Sequence, residues 1–273
     1  VESLERQIKA VIKEGRLKPK AVVAVDFIGN PADYAKIRKI TDRYGLLLIE
    51  DAAQGIGASV DGIKCGALGD IAATSFFPSK PLGCYGDGGA VFTNEDKMLA
   101  ERDEEHYKKM DELLRSIRVH GKGVSKYDNQ RVGINSRLDT LQAAIMLPKL
   151  KVLDHEISTR QKLADVYNKA FADKFQTPYV KENMISSYAQ YALLAEDEEH
   201  RNYFMDILKK NNIPTLVYYP VPLHKMKVFE GCFMGNENFE NTIAYAERTF
   251  SLPFSAYLKE EDQERVIDVL LNA

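Results

Sequence analysis

Residues 21–51 read AVVAVDFIGNPADYAKIRKITDRYGLLLIED. Ala21–Phe27 is a short apolar run rich in β-branched residues, the pattern of a buried strand. Asn30 and Pro31 supply an N-cap and a first-turn proline. Tyr34, Ile37, Ile40 and Tyr44 then recur at helical spacing, and Gly45 ends the helix. Leu46–Ile49 is a second buried strand, running into Glu50 and Asp51. Strand, helix and strand at this spacing form a βαβ unit, which predicts a parallel sheet.

The pattern extends both ways. Upstream, Leu4, Ile8, Val11 and Ile12 share one helical face, with Gly15 as the stop. Downstream, Ile71–Phe77 and Gly89–Thr93 read as further strands joined by a loop. Asn94 is expected to cap a long charged helix, in which nine of the twelve residues Glu101–Glu112 are charged. Both signs are interspersed there, as on a solvated helix face. A second long helical stretch runs from about Leu138 to Phe171, and Pro148 should kink or break it. Beyond it, Ser187–Ala195 and Thr215–Tyr219 read as strands, and Asp197–Asn211, Asn238–Phe250 and Lys259–Leu271 as helices. This gives a large α/β domain, residues 1–150, and a smaller α+β domain, residues 151–273.

Three features could carry chemistry. Asp51 ends a buried strand, where open α/β sheets bind ligands; a helix N-cap or a structural ion pair would also explain it. Lys80 lies in Ser75-Phe76-Phe77-Pro78-Ser79-Lys80-Pro81, between two prolines that restrict the loop just past another strand. A lysine held against a sheet edge can lose its hydration, and a neutral amine condenses with a carbonyl; most lysines are instead surface residues. Gly83-Cys84-Tyr85-Gly86-Asp87-Gly88-Gly89 allows a sharp turn but fits neither nucleotide-binding glycine fingerprint. An acid and a lysine 29 residues apart, both ending strands of one sheet, suit pyridoxal 5′-phosphate. A carboxylate holds the pyridine nitrogen protonated, and a lysine holds the aldehyde and moves the α-proton.

Three stretches, Ile49–Gly55 (IEDAAQG), Ser75–Gly89 (SFFPSKPLGCYGDGG) and Arg131–Leu141 (RVGINSRLDTL), together resemble the DegT/DnrJ/StrS family. Its members are pyridoxal-phosphate-dependent aminotransferases of nucleotide-linked sugars with the aspartate-aminotransferase type I fold. The resemblance covers essentially the whole chain, and is strongest to the branch that aminates UDP-2-acetamido-2-deoxy-3-oxo-glucuronate. It implies Lys80 as the Schiff-base lysine and Asp51 as the acid facing the pyridine nitrogen. It further implies Ala53 on one ring face, Gln54 beside the ring hydroxyl and Ser75 on the cofactor phosphate. Asn135 is implied to reach the phosphate of a neighbouring subunit, and hence an obligate homodimer with shared sites. Arg137 is a candidate for a carboxylate of the amino donor or the sugar acid, against a surface ion pair. His224 fits the substrate-side loop, against a structural histidine. His120 precedes a glycine-rich loop and receives no role, and Cys84 reads as a small buried filler. L-glutamate is the expected donor. In the family a further segment precedes the Val1 helix and completes the phosphate site; here it is expected to be missing. The charged stretch around Glu101–Leu114 is longer than expected and reads as a surface elaboration.

Composition sets the competing readings. The formal charge is 37 − 40 = −3, which leaves no electrostatic footprint for nucleic acid. No apolar run is long enough to span a membrane. Cys65, Cys84 and Cys232 form no CxxC pair, so neither a zinc site nor a disulfide framework is expected, and a reducing cytoplasm is. No signal-peptide pattern opens the sequence. The alternatives are a non-catalytic truncated homologue acting as an assembly module, and a pyridoxal-phosphate-type sugar dehydratase. Lys80 disfavours the second, since such dehydratases lack the imine lysine.

Overall fold

The computed structural model describes residues 1–93, 104–125, 127–232 and 237–273, without the side chains of 104–109. The Asn94 cap lies outside them. Helix α1 (Glu2–Glu14) ends on Gly15 in the left-handed conformation. Strand β1 (Ala21–Val25) leads through a 3₁₀ turn, Phe27–Gly29, to helix α2 (Tyr34–Tyr44). The cap of α2 is Asp33, whose side chain accepts from Lys36 N, so the helix starts three residues later than Asn30 and Pro31 suggested. Strand β2 (Leu47–Asp51) follows, then short strands β3 (Ser59–Val60) and β4 (Ile63–Lys64), β5 (Ile71–Ser75) and β6 (Gly89–Thr93).

The main sheet has the order β1-β2-β5-β6. β1 and β2 are parallel, as the βαβ pattern predicts; β5 is also parallel to β2, although no helix joins them, and β6 is antiparallel. A short loop of 13 residues, 76–88, joins β5 to β6 and suits an antiparallel return. Ile8, Tyr34 and Ile40 pack with Val22, Ala24 and Leu48 into one core. The ion pair Arg38–Asp70 and the bond from Leu48 N to Asp70 tie α2 to the sheet. β1, β2 and β5 are buried on this face only, and β6 on neither. On the other, Val23, Val25 and Val91 are 60, 44 and 54% exposed. An apolar run is the same whether one or both faces are covered, which is why full burial was expected.

Helix α3 (Glu104–Ile117) precedes a looped arm, and helix α4 (Thr140–Phe171) then runs for 32 residues, straight through residue 150. Pro148 removes one N–H but does not end α4. Strands β7 (Met184–Ile185) and β8 (Tyr191–Leu194), helices α5 (Glu198–Lys210) and α6 (Glu240–Arg248), strand β9 (Thr249–Leu252) and helix α7 (Glu260–Leu271) complete the chain. Two expectations fail here. Phe250 belongs to β9, because pairing Leu193 with Phe250 buries the ring fully, which overrides helical propensity. Thr215–Tyr219 forms only a single bridge, Leu216 to Ser251, between Pro214 and Pro220.

The second core is aromatic. Tyr167, Phe171, Phe175, Tyr191, Phe204 and Phe250 pack together, with ring centroids 4.9 Å apart for Tyr167–Tyr191 and 4.8 Å for Phe175–Phe204. Phe171 is fully buried at the end of α4. Phe171→Ala is expected to lower stability by about 3–5 kcal/mol. Urea denaturation checks this, and a loss below ~1 kcal/mol would mean that the site collapses freely.

Candidate active site

β2 and β5 run parallel and end side by side, with Asp51 level with Ala73. Residues two apart in a strand share a face, so Asp51, Ala73 and Ser75 all point to the open face of the sheet. Asp51 Oδ1 accepts from Ala53 N at 3.1 Å, and no described residue donates to Oδ2. The turn after Asp51 is fixed from several sides. Thr74 Oγ1 donates to Ala52 O at 2.9 Å, and Ser187 Oγ to Gln54 O at 2.6 Å. Gln54 is buried; its Oε1 accepts from Ile28 N at 2.6 Å, and its Nε2 donates to Tyr219 Oη at 3.3 Å.

Lys80 sits on the loop between β5 and β6. Ser75 Oγ accepts from Phe77 N at 3.2 Å, and Lys80 N donates to Phe77 O at 2.9 Å. Cys84, fully buried as expected, closes the loop: its N donates to Phe76 O at 2.8 Å, and its Sγ lies 3.1 Å from both Phe76 O and Gly86 O. A side chain at Gly83 would meet Pro78 O at 2.6 Å, so glycine is required where the loop folds onto itself. Lys149 Nζ, from α4, donates to Gly83 O. The Lys80 ammonium has no hydrogen-bond or ion-pair partner among the described residues and lines a cavity of 660 Å³.

Asp51 and Ser75 thus end adjoining strands, Ala53 and Gln54 occupy the turn after Asp51, and Lys80 lies on the loop after Ser75, in a cavity whose walls include none of the other four. Asn135 and Arg137 sit elsewhere, exposed on the arm between α3 and α4, where Arg137 Nε donates to Asn135 Oδ1 at 3.0 Å. The arm is held by the Val119–Asn135 bridge. His224 lies in the 3₁₀ turn Leu223–Lys225, its ring 4.6 Å from that of Phe239, with Nε2 buried and unpartnered.

The sequence did not point to Tyr219, 165 residues from the Gln54 that it binds, nor to a buried cluster under the same loop. Asp26, Glu50 and Cys65 offer donor atoms that all lie within 4.8 Å of one another. Their types would suit a cation, but the two Glu50 oxygens already accept from the N–H groups of Gly66, Leu68 and Gly69. Asp26 Oδ1 accepts from Tyr34 Oη at 2.8 Å, whereas Oδ2 has no hydrogen-bond partner and faces Gly55, whose missing Cβ would lie 2.3 Å away. Burial above all, with the charge of Glu50 adding, pushes the Asp26 carboxyl up to about 7. The folded protein therefore holds this proton more tightly than the unfolded chain. That stability is full below about pH 4 and is lost as pH rises through about 7. Asp26→Asn is expected to remove this slope and to stabilise the protein above neutrality by on the order of 1–3 kcal/mol. Unfolding by urea at about pH 5 and about pH 8.5 checks it; an unchanged slope in the variant would assign the proton elsewhere.

This chain is similar to known proteins along nearly its whole length. The family model described as the DegT/DnrJ/EryC1/StrS aminotransferase family matches residues 4–271. The UDP-2-acetamido-2-deoxy-3-oxo-D-glucuronate aminotransferase of Pseudomonas aeruginosa is 40% identical over 258 residues, covering 93% of this chain and 66% of that protein. A crystal structure of a DegT DnrJ EryC1 StrS aminotransferase from Brucella abortus superposes with a TM-score of 0.92 at 42% identity, covering 99% of this chain and 69% of that one. S. venezuelae DesV, solved in complex with a ketimine intermediate, superposes with a TM-score of 0.82 at 32% identity, covering 96% of this chain and 68% of that one. The chain has the fold of the sugar aminotransferases, a sheet with a parallel core flanked by helices. It belongs to the DegT/DnrJ/EryC1/StrS aminotransferase family. It spans about two thirds of the length of the curated relatives that it matches. No helix among the described residues is long and apolar enough to cross a membrane.

Proposed function

We propose that the protein is a pyridoxal-phosphate-dependent aminotransferase of a nucleotide-linked keto sugar. The substrate in this reading is UDP-2-acetamido-2-deoxy-3-oxo-glucuronate or a similar UDP-keto sugar, with L-glutamate as the donor, in the cytoplasmic synthesis of a surface polysaccharide. The observation that carries it is the unpartnered carboxylate oxygen of Asp51 at the end of β2 and the unpartnered amine of Lys80 on the loop that leaves the adjoining strand β5. Donor and acceptor types there fit the cofactor: an amine for its carbonyl, an acid for its ring nitrogen, and a hydroxyl, Ser75, for its phosphate.

Pyridoxal phosphate, when bound, supplies an electron sink through which an amino group passes between carbon skeletons. The chain's own residues do the rest. Asp51, oriented by the Ala53 N–H, would face the ring nitrogen and keep its proton in place. Ala53 would pack on one ring face, and Gln54, held between Ile28 N and Tyr219, would lie beside the ring hydroxyl. Lys80, on a loop locked by Cys84, Gly83 and Lys149, would bind the carbonyl carbon and carry the proton at the substrate α-carbon. Asn135 of the partner subunit would reach the phosphate, which makes the working unit a homodimer. Arg137 and His224 would serve the substrate side. Residues 1–150 form the cofactor-binding domain and 151–273 the smaller one, with α4 shared between them.

The test supplies purified protein with pyridoxal phosphate, L-glutamate and the UDP-3-oxo sugar acid. The expected result is 2-oxoglutarate and aminated sugar nucleotide in equal amounts. A cofactor-loaded protein that releases neither, with UDP- or dTDP-linked keto sugars, would contradict the reading.

A further inference from the structure

The cavity beside Lys80 carries an unbalanced charge. Its walls include Lys80 and Tyr85 from the loop, Lys149, Glu156 and Arg160 from α4, and Tyr257 from the segment before α7. Lys149, Glu156 and Arg160 are spaced by seven and four residues, so they share one face of the helix. With Lys80 engaged by the cofactor, two cations, Lys149 and Arg160, still meet one carboxylate, Glu156.

Arg160 is the unusual member. It is only 9% exposed, its Nη1 donates to Tyr188 O at 2.8 Å, and its Nε is buried with no partner. Its guanidinium lies 5.8 Å from the Phe254 ring. No carboxylate among the described residues forms an ion pair with it. Burial lowers its hold on the proton, and the charge of Glu156 opposes that effect. Glu156 itself accepts from Tyr257 Oη at 2.5 Å. Lys149 lies 5.6 Å from the Tyr85 ring and donates to a backbone carbonyl, so its charge also lacks a carboxylate. A desolvated cation without a counter-ion is costly, and an entering anion offsets that cost.

We propose that this cavity receives a carboxylate of one of the two reactants, recognised by Arg160 and Lys149, with Glu156 limiting the negative charge it admits. The inference rests on the aminotransferase reading, which supplies two sources of that chemistry: the amino-acid donor and the sugar acid. Guanidinium and ammonium together suit an organic carboxylate, and the tyrosine walls suit its carbon skeleton.

Calorimetric binding to the cofactor-loaded protein tests it, with succinate as the probe for the donor and D-glucuronate for the sugar acid. Lys149→Gln is expected to weaken one probe by at least about tenfold, the scale of a charge-assisted hydrogen bond. Glu156→Gln is expected to tighten the same probe. Opposite signs with succinate assign the cavity to the donor, and with glucuronate to the sugar acid. Both variants moving binding in the same direction, binding that neither variant changes, or no binding of either probe would overturn the proposal. Binding needs no turnover. An enzyme that transaminates but fails this test loses the subsite and keeps its function; a protein that passes but never transaminates keeps the subsite and loses the function.

Discussion

Lys80→Ala is expected to lower glutamate-dependent release of 2-oxoglutarate by about three orders of magnitude or more, a barrier increase of at least ~4 kcal/mol. In the proposed mechanism the side chain would combine two tasks, anchoring the cofactor carbonyl and moving the α-proton. Its ammonium has no partner among the described residues, and the loop's own bonds run through the Lys80 and Cys84 backbones. Stability should therefore change by no more than about 0.5 kcal/mol, as at an unpartnered surface position. Lost turnover with unchanged unfolding separates a chemical role from a structural one. Turnover within about tenfold of the parent would remove Lys80 from the mechanism.

Asp51→Asn is expected to reduce turnover by about ten- to a thousandfold, or ~1.4–4 kcal/mol. The amide keeps the shape of the carboxylate, and its oxygen can still accept from Ala53 N. What it loses is the negative charge that, in the proposed function, would hold the ring nitrogen protonated, and with it much of the electron sink. The loss should fall on kcat rather than on the KM for glutamate, because the charge acts at the cofactor. Unchanged kcat would assign the ring nitrogen another partner.

Much of this site was legible in the sequence because its parts are local. Asp51 and Ser75 lie at the ends of strands whose apolar runs are unambiguous, and Pro78, Pro81 and the glycines mark the Lys80 loop. The βαβ unit followed from period and punctuation alone, and so did the parallel pairing of β1 and β2; the pairing of β5 with β2, which no helix connects, did not. Contacts distant in sequence were not legible. The Gln54–Tyr219 bond, the Lys149–Gly83 bond and the Tyr188 carbonyl on Arg160 join segments whose proximity only the tertiary fold creates. Asp26 was hidden for another reason: it falls inside the apolar run Ala21–Phe27, where one acid draws no notice, yet β1 ends at Val25 and Asp26 is fully buried just beyond it. Thr249 and Phe250 continue the spacing of α6 and so read as helix, and only the pairing with β8 decides otherwise. The structure places Asn135 and Arg137 together on an exposed arm, away from any bond to Asp51, Ser75 or Lys80. The role proposed for Asn135 requires a second subunit.

The most direct measurement is reductive trapping. Protein loaded with pyridoxal phosphate is treated with borohydride, digested and mapped by mass spectrometry. The expected result is one pyridoxyl group per chain, on the peptide containing Lys80, and none in Lys80→Ala. An adduct on Lys149, which lines the same cavity, or on any other lysine, or no adduct at all, would contradict the assignment of Lys80 as the residue that holds the cofactor.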